Sequence, residues 1–322
     1  MKTLYFECNM GAAGDMLMAA LLELHPNPAD FIKRLNEVGI PNTIVSAETS
    51  VKCGIKGTHV SVKVNGKEEL TADVHDFIHE MGLEHSHDHD HSHDHDHSHD
   101  HDHSHDHDHS HDHEHSHDHG HSRDHEHSHD HEDSHNHEHS HDGHSHSHGE
   151  HSHSHNGLHE IGHIVSHLSI SDKVKENVVA VYNLIAEAES HAHGVPVTEI
   201  HFHEVGNLDA IADIVGVCML MEEIVPEKVL ASAIHVGSGM VRCAHGVLPV
   251  PAPATAHILQ GVPIYGGAVK SELCTPTGAA ILKHFASGFG NMPVLTIEKC
   301  GYGMGKKDFP QANCVRAFLG ND

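Results

Sequence analysis

The sequence predicts an α/β or α+β fold, a mixed sheet flanked by helices and interrupted by a long disordered His-rich insert. Two observations predict the folded part. Short runs rich in Val, Ile, Tyr and Phe alternate with segments of helical apolar spacing, most clearly after residue 200. Turns carrying Gly and Pro separate them. The third observation sets the insert apart: His85 to His155 holds 33 of the 48 histidines, 19 Asp or Glu and one Arg. It contains no Leu, Ile, Val, Met, Phe or Tyr, so no core can form there to offset the entropy of ordering. The expected organisation is an N-terminal α/β part over 1–83, the insert over 84–156, and a main α/β part over 157–322.

Taken in order, Thr3 to Asn9 reads as a strand leading into the turn Gly11-Ala-Ala-Gly-Asp15. A helix of good formers runs to Leu24, and a second from Pro28 to Val38 stops at Gly39. Thr43 to Ala47 and Thr58 to Val64 read as strands, the latter alternating Val60, Val62 and Val64 with His59, Ser61 and Lys63. A short helix is expected over Ala72 to Met81. Order resumes near Leu158, and Ser171-Asp172 caps a long helix that Gly194-Val-Pro196 ends. Ile200 to Glu204 is extended, and Leu208 to Ile224 forms an apolar helix. Val229 to Val236 reads as one strand, Met240 to Cys243 as a short one, and Val262 to Tyr265 as another. Helices open at Pro251-Ala-Pro253 and at Thr275-Pro-Thr-Gly278. Two late strands, Val294 to Cys300 and Cys314 to Leu319, flank the glycine-rich Gly301 to Gly305.

Of the formal charge of −29, the tract carries −18. The acidic balance excludes a phosphate-backbone binder, which needs a basic surface. Histidine is a borderline ligand suited to nickel, copper and zinc, so the tract reads as a low-specificity divalent-metal sponge; a plain solvated spacer is the alternative. Protonation near the ordinary imidazole pKa of about 6.5 competes for the same nitrogens, so metal loading weakens as pH falls. No secretory signal and no uninterrupted apolar span is visible. Seven scattered cysteines without a Cys-x-x-Cys pair fit reduced thiols in a cytoplasm.

The strongest constellation is His201-Phe-His203-Glu204 followed by Asp209 and Asp213. On an extended segment His201 and His203 point to one side, and on the following helix Asp209 and Asp213 share a face. Two carboxylates on an otherwise apolar helix need cations or donors, so a first-row metal or catalytic site is plausible. Acids favoured at a helix N-terminus, beside structural histidines, are the alternative. Gly11-Ala-Ala-Gly14 hands a strand over to a helix, where free N–H groups suit phosphate, although Asp15 suits a metal or amine instead. Thr275-Pro276-Thr277-Gly278 is a second potential anion seat, and capping alone explains half of it. His235 and the pair Cys243 and His245 sit beside flexible turns as candidate ligands. His191 and His193 end a helix whose dipole they complement. Glu7 and Cys8 either face a cleft or pack.

Four ordered motifs, Met10-Gly-Ala-Ala-Gly-Asp-Met16, His201 to Asp209, Cys243-Ala-His-Gly with Pro249 to Thr255, and Thr275-Pro-Thr-Gly-Ala279, carry a resemblance. Over about residues 1–80 and 157–319 the chain resembles the nickel-insertion protein of nickel-pincer cofactor biosynthesis. The resemblance implies a CTP-dependent nickel chelatase of the lyase class. It would place Ni(II) into pyridinium-3,5-bisthiocarboxylic acid mononucleotide, making one carbon–nickel and two sulfur–nickel bonds, for enzymes such as lactate racemase. CTP with a divalent cation is expected to act through a C-terminal domain of the family, here a separately encoded C-terminal half. An apo-racemase that accepts the cofactor and a homo-oligomer are further expected partners; nucleic acid and membrane are not. Metal or base work is expected of His201, His203, Glu204, Asp209 and Asp213, with His245 as a further metal ligand. Gly11, Gly14, Asp15, Thr275, Thr277 and Gly278 are the expected cofactor-binding residues, with phosphate on the Gly11–Gly14 and Thr275–Gly278 turns. A non-catalytic nickel store or metallochaperone is the competing expectation.

Overall fold

A computed structural model describes residues 1–68, 157–200, 202 and 205–322. The histidine tract, the helix expected over Ala72 to Met81, and His201, His203 and Glu204 lie outside the described residues. Strands from both sides of the insert build one mixed sheet. They are β1 (Lys2–Glu7), β2 (Thr43–Lys52), β3 (Ile55–Val64), β4 (Lys67–Glu68), β5 (Lys228–Ala231), β10 (Gly288–Phe289), β11 (Thr296–Met304) and β12 (Cys314–Asn321). Their order is β10-β5-β1-β12-β11-β3-β2, with β4 beside β3. β1 is an interior strand, parallel to β5 and antiparallel to β12, pairing Leu4 with Val229 and Leu319. The first and last strands of the described chain are therefore neighbours.

The helices are α1 (Gly14–Leu24), α2 (Pro28–Glu37), α3 (Leu158–His167), α4 (Asp172–His193), α5 (Leu208–Ile224), α6 (Pro253–Ile258) and α7 (Pro276–Phe285). α1 lies across β3, β11 and β12, with α5 packed on it in turn. It is buried nearly all round, from Met16 to Leu22 and at Leu24. Each fully buried Leu or Met there contributes about 1.5–3 kcal/mol. Ser171 caps α4 by accepting from the Val174 N–H, and Gly194 ends it at φ +67°. Arg34 of α2 grips Glu223 of α5 through two bonds of 2.6 and 2.9 Å.

Several elements differ from the sequence reading. Thr43 to Ala47 and Thr58 to Val64 extend into one ten-by-ten hairpin, closed by Cys53 and Gly54 at positive φ. Val229 to Val236 breaks in two at Ser232: its N–H makes a last bond to Phe6 O of β1, and its hydroxyl accepts from the Cys8 N–H. The second piece, β6 (Ile234–His235), pairs instead with β9 (Ile264–Tyr265). Two of the glycines expected between the late strands, Gly301 and Gly303, lie inside β11. A Cβ on Gly301 would sit 2.0 Å from Ala20 O, and one on Gly303 1.8 Å from Met16 O. Glycine is there to let α1 touch the sheet. Finally, β7 (Met240–Cys243) is paired by β8 (Gly246–Pro249), and α3 begins at Leu158, neither legible from periodicity alone.

Candidate functional site

Two helix starts are sewn together beneath the site. Ala12 N–H donates to Leu273 O, and Thr275 N–H donates back to Ala12 O, both at 3.0 Å. This sets the first turn of α1 against the first turn of α7. Gly11 (φ +80°) and Gly278 make the approach possible: a Cβ would lie 1.9 Å from Leu273 O and 2.2 Å from Ala12 O, respectively. Thr275 caps α7 by accepting from the Gly278 N–H at 3.2 Å. Gly11 and Gly278 thus serve the crossing, while Gly14, Asp15, Thr275 and Thr277 face a cavity of about 210 Å³.

The opposite wall comes from α5. Asp209 and Asp213, one turn apart, line the same cavity with Glu272, Lys306 and Lys307. Gly14 and Asp213 are in direct contact, since a Cβ on Gly14 would stand 2.7 Å from Asp213 Oδ2. Four carboxylates therefore face two lysines. Burial, then the charges of Asp15 and Asp209, push the Asp213 carboxyl well above the ordinary range, against Lys306 and the Asp15 N–H. Burial likewise raises Asp15, opposed first by Lys306 and then by the Met16 N–H. Burial alone would lower Lys306; its ion pair with Glu68 at 2.9 Å and the nearby Asp15 outweigh that and hold its ammonium above the usual value. Tyr182 of α4 is buried with its hydroxyl pKa raised by burial and by Asp209 and Asp213. Asp213 Oδ1 and Tyr182 Oη have no hydrogen-bond partner among the described residues.

Clustered carboxyls with raised pKa and an orphaned oxygen are short of positive charge. A cation placed among them, a metal ion or a cationic ring, meets that deficit. The starts of α1 and α7 add the positive ends of two helix dipoles at the same wall, a favourable setting for phosphate. Lys306, Lys307, Glu272 and Tyr182 carried no sequence motif. The only hint was the lysine pair directly after Gly305, the last residue of the glycine-rich stretch.

The other candidates fall elsewhere. His245 and Cys243 line a neighbouring cavity. His235 is buried, its ring stacked on Tyr265 at 4.7 Å and its Nδ1 2.9 Å from Asn9 O, a structural setting. His191 packs on His257, rings 4.3 Å apart. Cys8 is buried and its thiol pushed up to about 12, while Glu7 pairs with Arg316. Among the described residues no disulfide joins any of the seven cysteines. Among the described residues no three His, Cys, Asp or Glu groups already form a metal-binding cluster, and no helix is long and apolar enough to cross a membrane.

A family model described as nickel insertion protein matches residues 4–322. The chain is 38% identical over 324 residues to the pyridinium-3,5-bisthiocarboxylic acid mononucleotide nickel insertion protein of Clostridium acetobutylicum, covering 100% of this chain and 64% of that one. It is 34% identical over 321 residues to the protein of the same name from Clostridium kluyveri, covering 99% and 62%. A third, from Desulfitobacterium hafniense, is 46% identical over 163 residues, 51% of this chain and 40% of that one. The chain thus spans less than two thirds of the length of these relatives. No solved structure matches.

Proposed function

This chain belongs to the nickel insertion protein family, and from that premise we propose that it serves nickel insertion into pyridinium-3,5-bisthiocarboxylic acid mononucleotide. The observation that carries the reading is the meeting of three of the four motifs in one acid-lined cavity: Gly14-Asp15, Asp209 with Asp213, and Thr275 to Thr277. In the reaction a ring C–H bond gives way to a carbon–nickel bond, two thiocarboxylate sulfurs bind the metal, and the ring proton leaves to a base. Asp15 and Asp209 hold the cationic partners, and Asp213, with its raised pKa, takes the proton. Lys306, Lys307 and the α7 start hold the phosphate. His201, His203 and Glu204 precede α5 directly and join Asp209 in metal or base work.

The reading includes CTP dependence with a divalent cation, a C-terminal half supplied separately, delivery to a lactate racemase-type enzyme, a homo-oligomer and a cytoplasmic setting. Its test supplies the chain with nickel, metal-free precursor and CTP, with and without a separately supplied C-terminal half. Nickel-dependent absorbance of the finished cofactor is expected in the complete mixture; a flat trace there overturns insertion. The tract favours one second reading, a nickel store, because 33 imidazoles dwarf any single site. Deleting residues 85–155 separates the two: an insertion protein keeps turnover at saturating nickel, whereas a store loses nearly all its metal and has no turnover to keep.

A further inference from the structure

α4 ends at His193, and the β7–β8 hairpin turns through Ala244 and His245; these two ends meet. The His193 and His245 rings lie 4.7 Å apart, centre to centre, inclined at 47°. His193 also faces Glu189 one turn earlier, Nε2 to Oε2 3.4 Å. Cys243, two residues before His245, lines a cavity of about 160 Å³ together with Glu189, His193 and His245. That cavity shares Glu272, Val205, Val241 and Pro276 with the carboxylate cavity, so the two have a common wall. Helix-dipole complementarity accounts for His193 by itself. It does not account for a thiol and a second imidazole delivered to the same void by a separate hairpin.

The donor sets of the two cavities differ in kind. Among the described residues the first cavity offers carboxylate oxygens and lysines. The second offers two imidazoles, a thiol and, besides the shared Glu272, one carboxylate, a borderline-to-soft set that selects nickel, cobalt, zinc or copper over magnesium and calcium. We infer that Cys243, His193, His245 and Glu189 form a second divalent-metal site, a nitrogen-and-sulfur waiting site from which a first-row ion passes by way of Glu272 into the carboxylate cavity. In the metal-free arrangement these groups line one void without converging on a single point, so loading pulls the hairpin turn and the helix end together. Both are peripheral parts that reorient side chains without disturbing the core. On binding, the Cys243 thiol gives its proton to solvent and becomes a thiolate ligand; transfer onward is ligand exchange with no change in oxidation state. That the ion is nickel rests on the proposed function; the site itself does not.

The tract contains no cysteine, so a thiolate-to-metal charge-transfer band reports this site even with every tract imidazole loaded. The full chain is titrated anaerobically with Ni(II) beyond the capacity of the tract. A near-ultraviolet band is expected that disappears in Cys243→Ser and survives in Cys53→Ser, the variant at the exposed thiol. The His193→Gln/His245→Gln pair weakens the midpoint of the band by at least about tenfold. Melting curves accompany each variant; should Cys243→Ser not fold, His193→Gln at the exposed helix end carries the comparison. No band in the parent, or an undiminished band in these variants, overturns the site. A band without cofactor formation discards insertion and leaves the site; cofactor formation without a band does the reverse.

Discussion

Gly14 stands where any larger residue would strike Asp213: a Cβ there lies 2.7 Å from both Asp213 Cβ and Oδ2. The absence of a side chain on α1 therefore fixes where the carboxyl of α5 can sit. Gly14→Ala should displace Asp213 and cost about 1–3 kcal/mol through overpacking. The loss of insertion rate should exceed the loss of stability. Cofactor formation and a thermal melt on the same preparation compare the two; an unchanged rate would mean that Asp213 is not held for the reaction.

Asp213→Asn should stabilise the metal-free protein at neutral pH. The folded-state pKa of Asp213 is raised above 3.8, so its protonated form favours folding. That contribution is fully present below the unfolded value and is lost as pH rises through the raised one. The variant removes the charge that burial penalises. Its melting temperature, measured with chelator present, should exceed the parent's at pH 8 by about 2–4 °C per kcal/mol relieved. The gap should close toward pH 4. A constant gap across pH would show that ionisation of Asp213 is not the cause.

Thr275→Ala removes the acceptor for the Gly278 N–H at the start of α7. Loss of an N-cap costs about 1 kcal/mol, and Thr275→Ser should recover most of it. Denaturant midpoints of the three proteins check this. If the α7 start also seats phosphate, the Ala variant raises KM for the mononucleotide more than it lowers kcat.

Gly303→Ala places a Cβ 1.8 Å from Met16 O, and since two backbones meet there neither can yield. Destabilisation of about 3 kcal/mol or more is expected. Gly162 in α3 is the contrast: a Cβ there meets nothing within 4 Å, and Gly162→Ala should gain up to about 1 kcal/mol. Soluble yield and melting temperature separate the pair.

Metal carried by the whole chain should fall steeply between pH 7.5 and 5.5, as protons displace metal from the tract near the imidazole pKa of about 6.5. Equilibrium dialysis against nickel at both values measures it. Deleting residues 85–155 should remove most of the pH-sensitive capacity.

Much of this was legible in the sequence because it is local. Ser171, Gly194 and Pro276 announce helix ends by backbone preferences that act within a few residues. Asp209 and Asp213 stand out because nothing else on α5 before Met221 is charged. The failures also have a local cause. Gly301 and Gly303 look like a turn, since glycine signals backbone freedom and close packing with the same letter. Lys306, Lys307 and Glu272 have no pattern of their own, and Tyr182 reads as one more apolar position on α4.

By itself the sequence marked most of the helices and the main strands, where a metal-hungry composition lies, and which ordered motifs mark the family. Only the tertiary structure decided that the starts of α1 and α7 meet, that Asp15, Asp209 and Asp213 share one cavity, and that His193 reaches His245. The physical reason is separation along the chain. Capping and periodicity are set by neighbours a few positions apart, whereas these contacts join residues 52 to 262 positions apart. Their energies exist only once β1 has paired with β5 and β12 and the glycines have let the helices close.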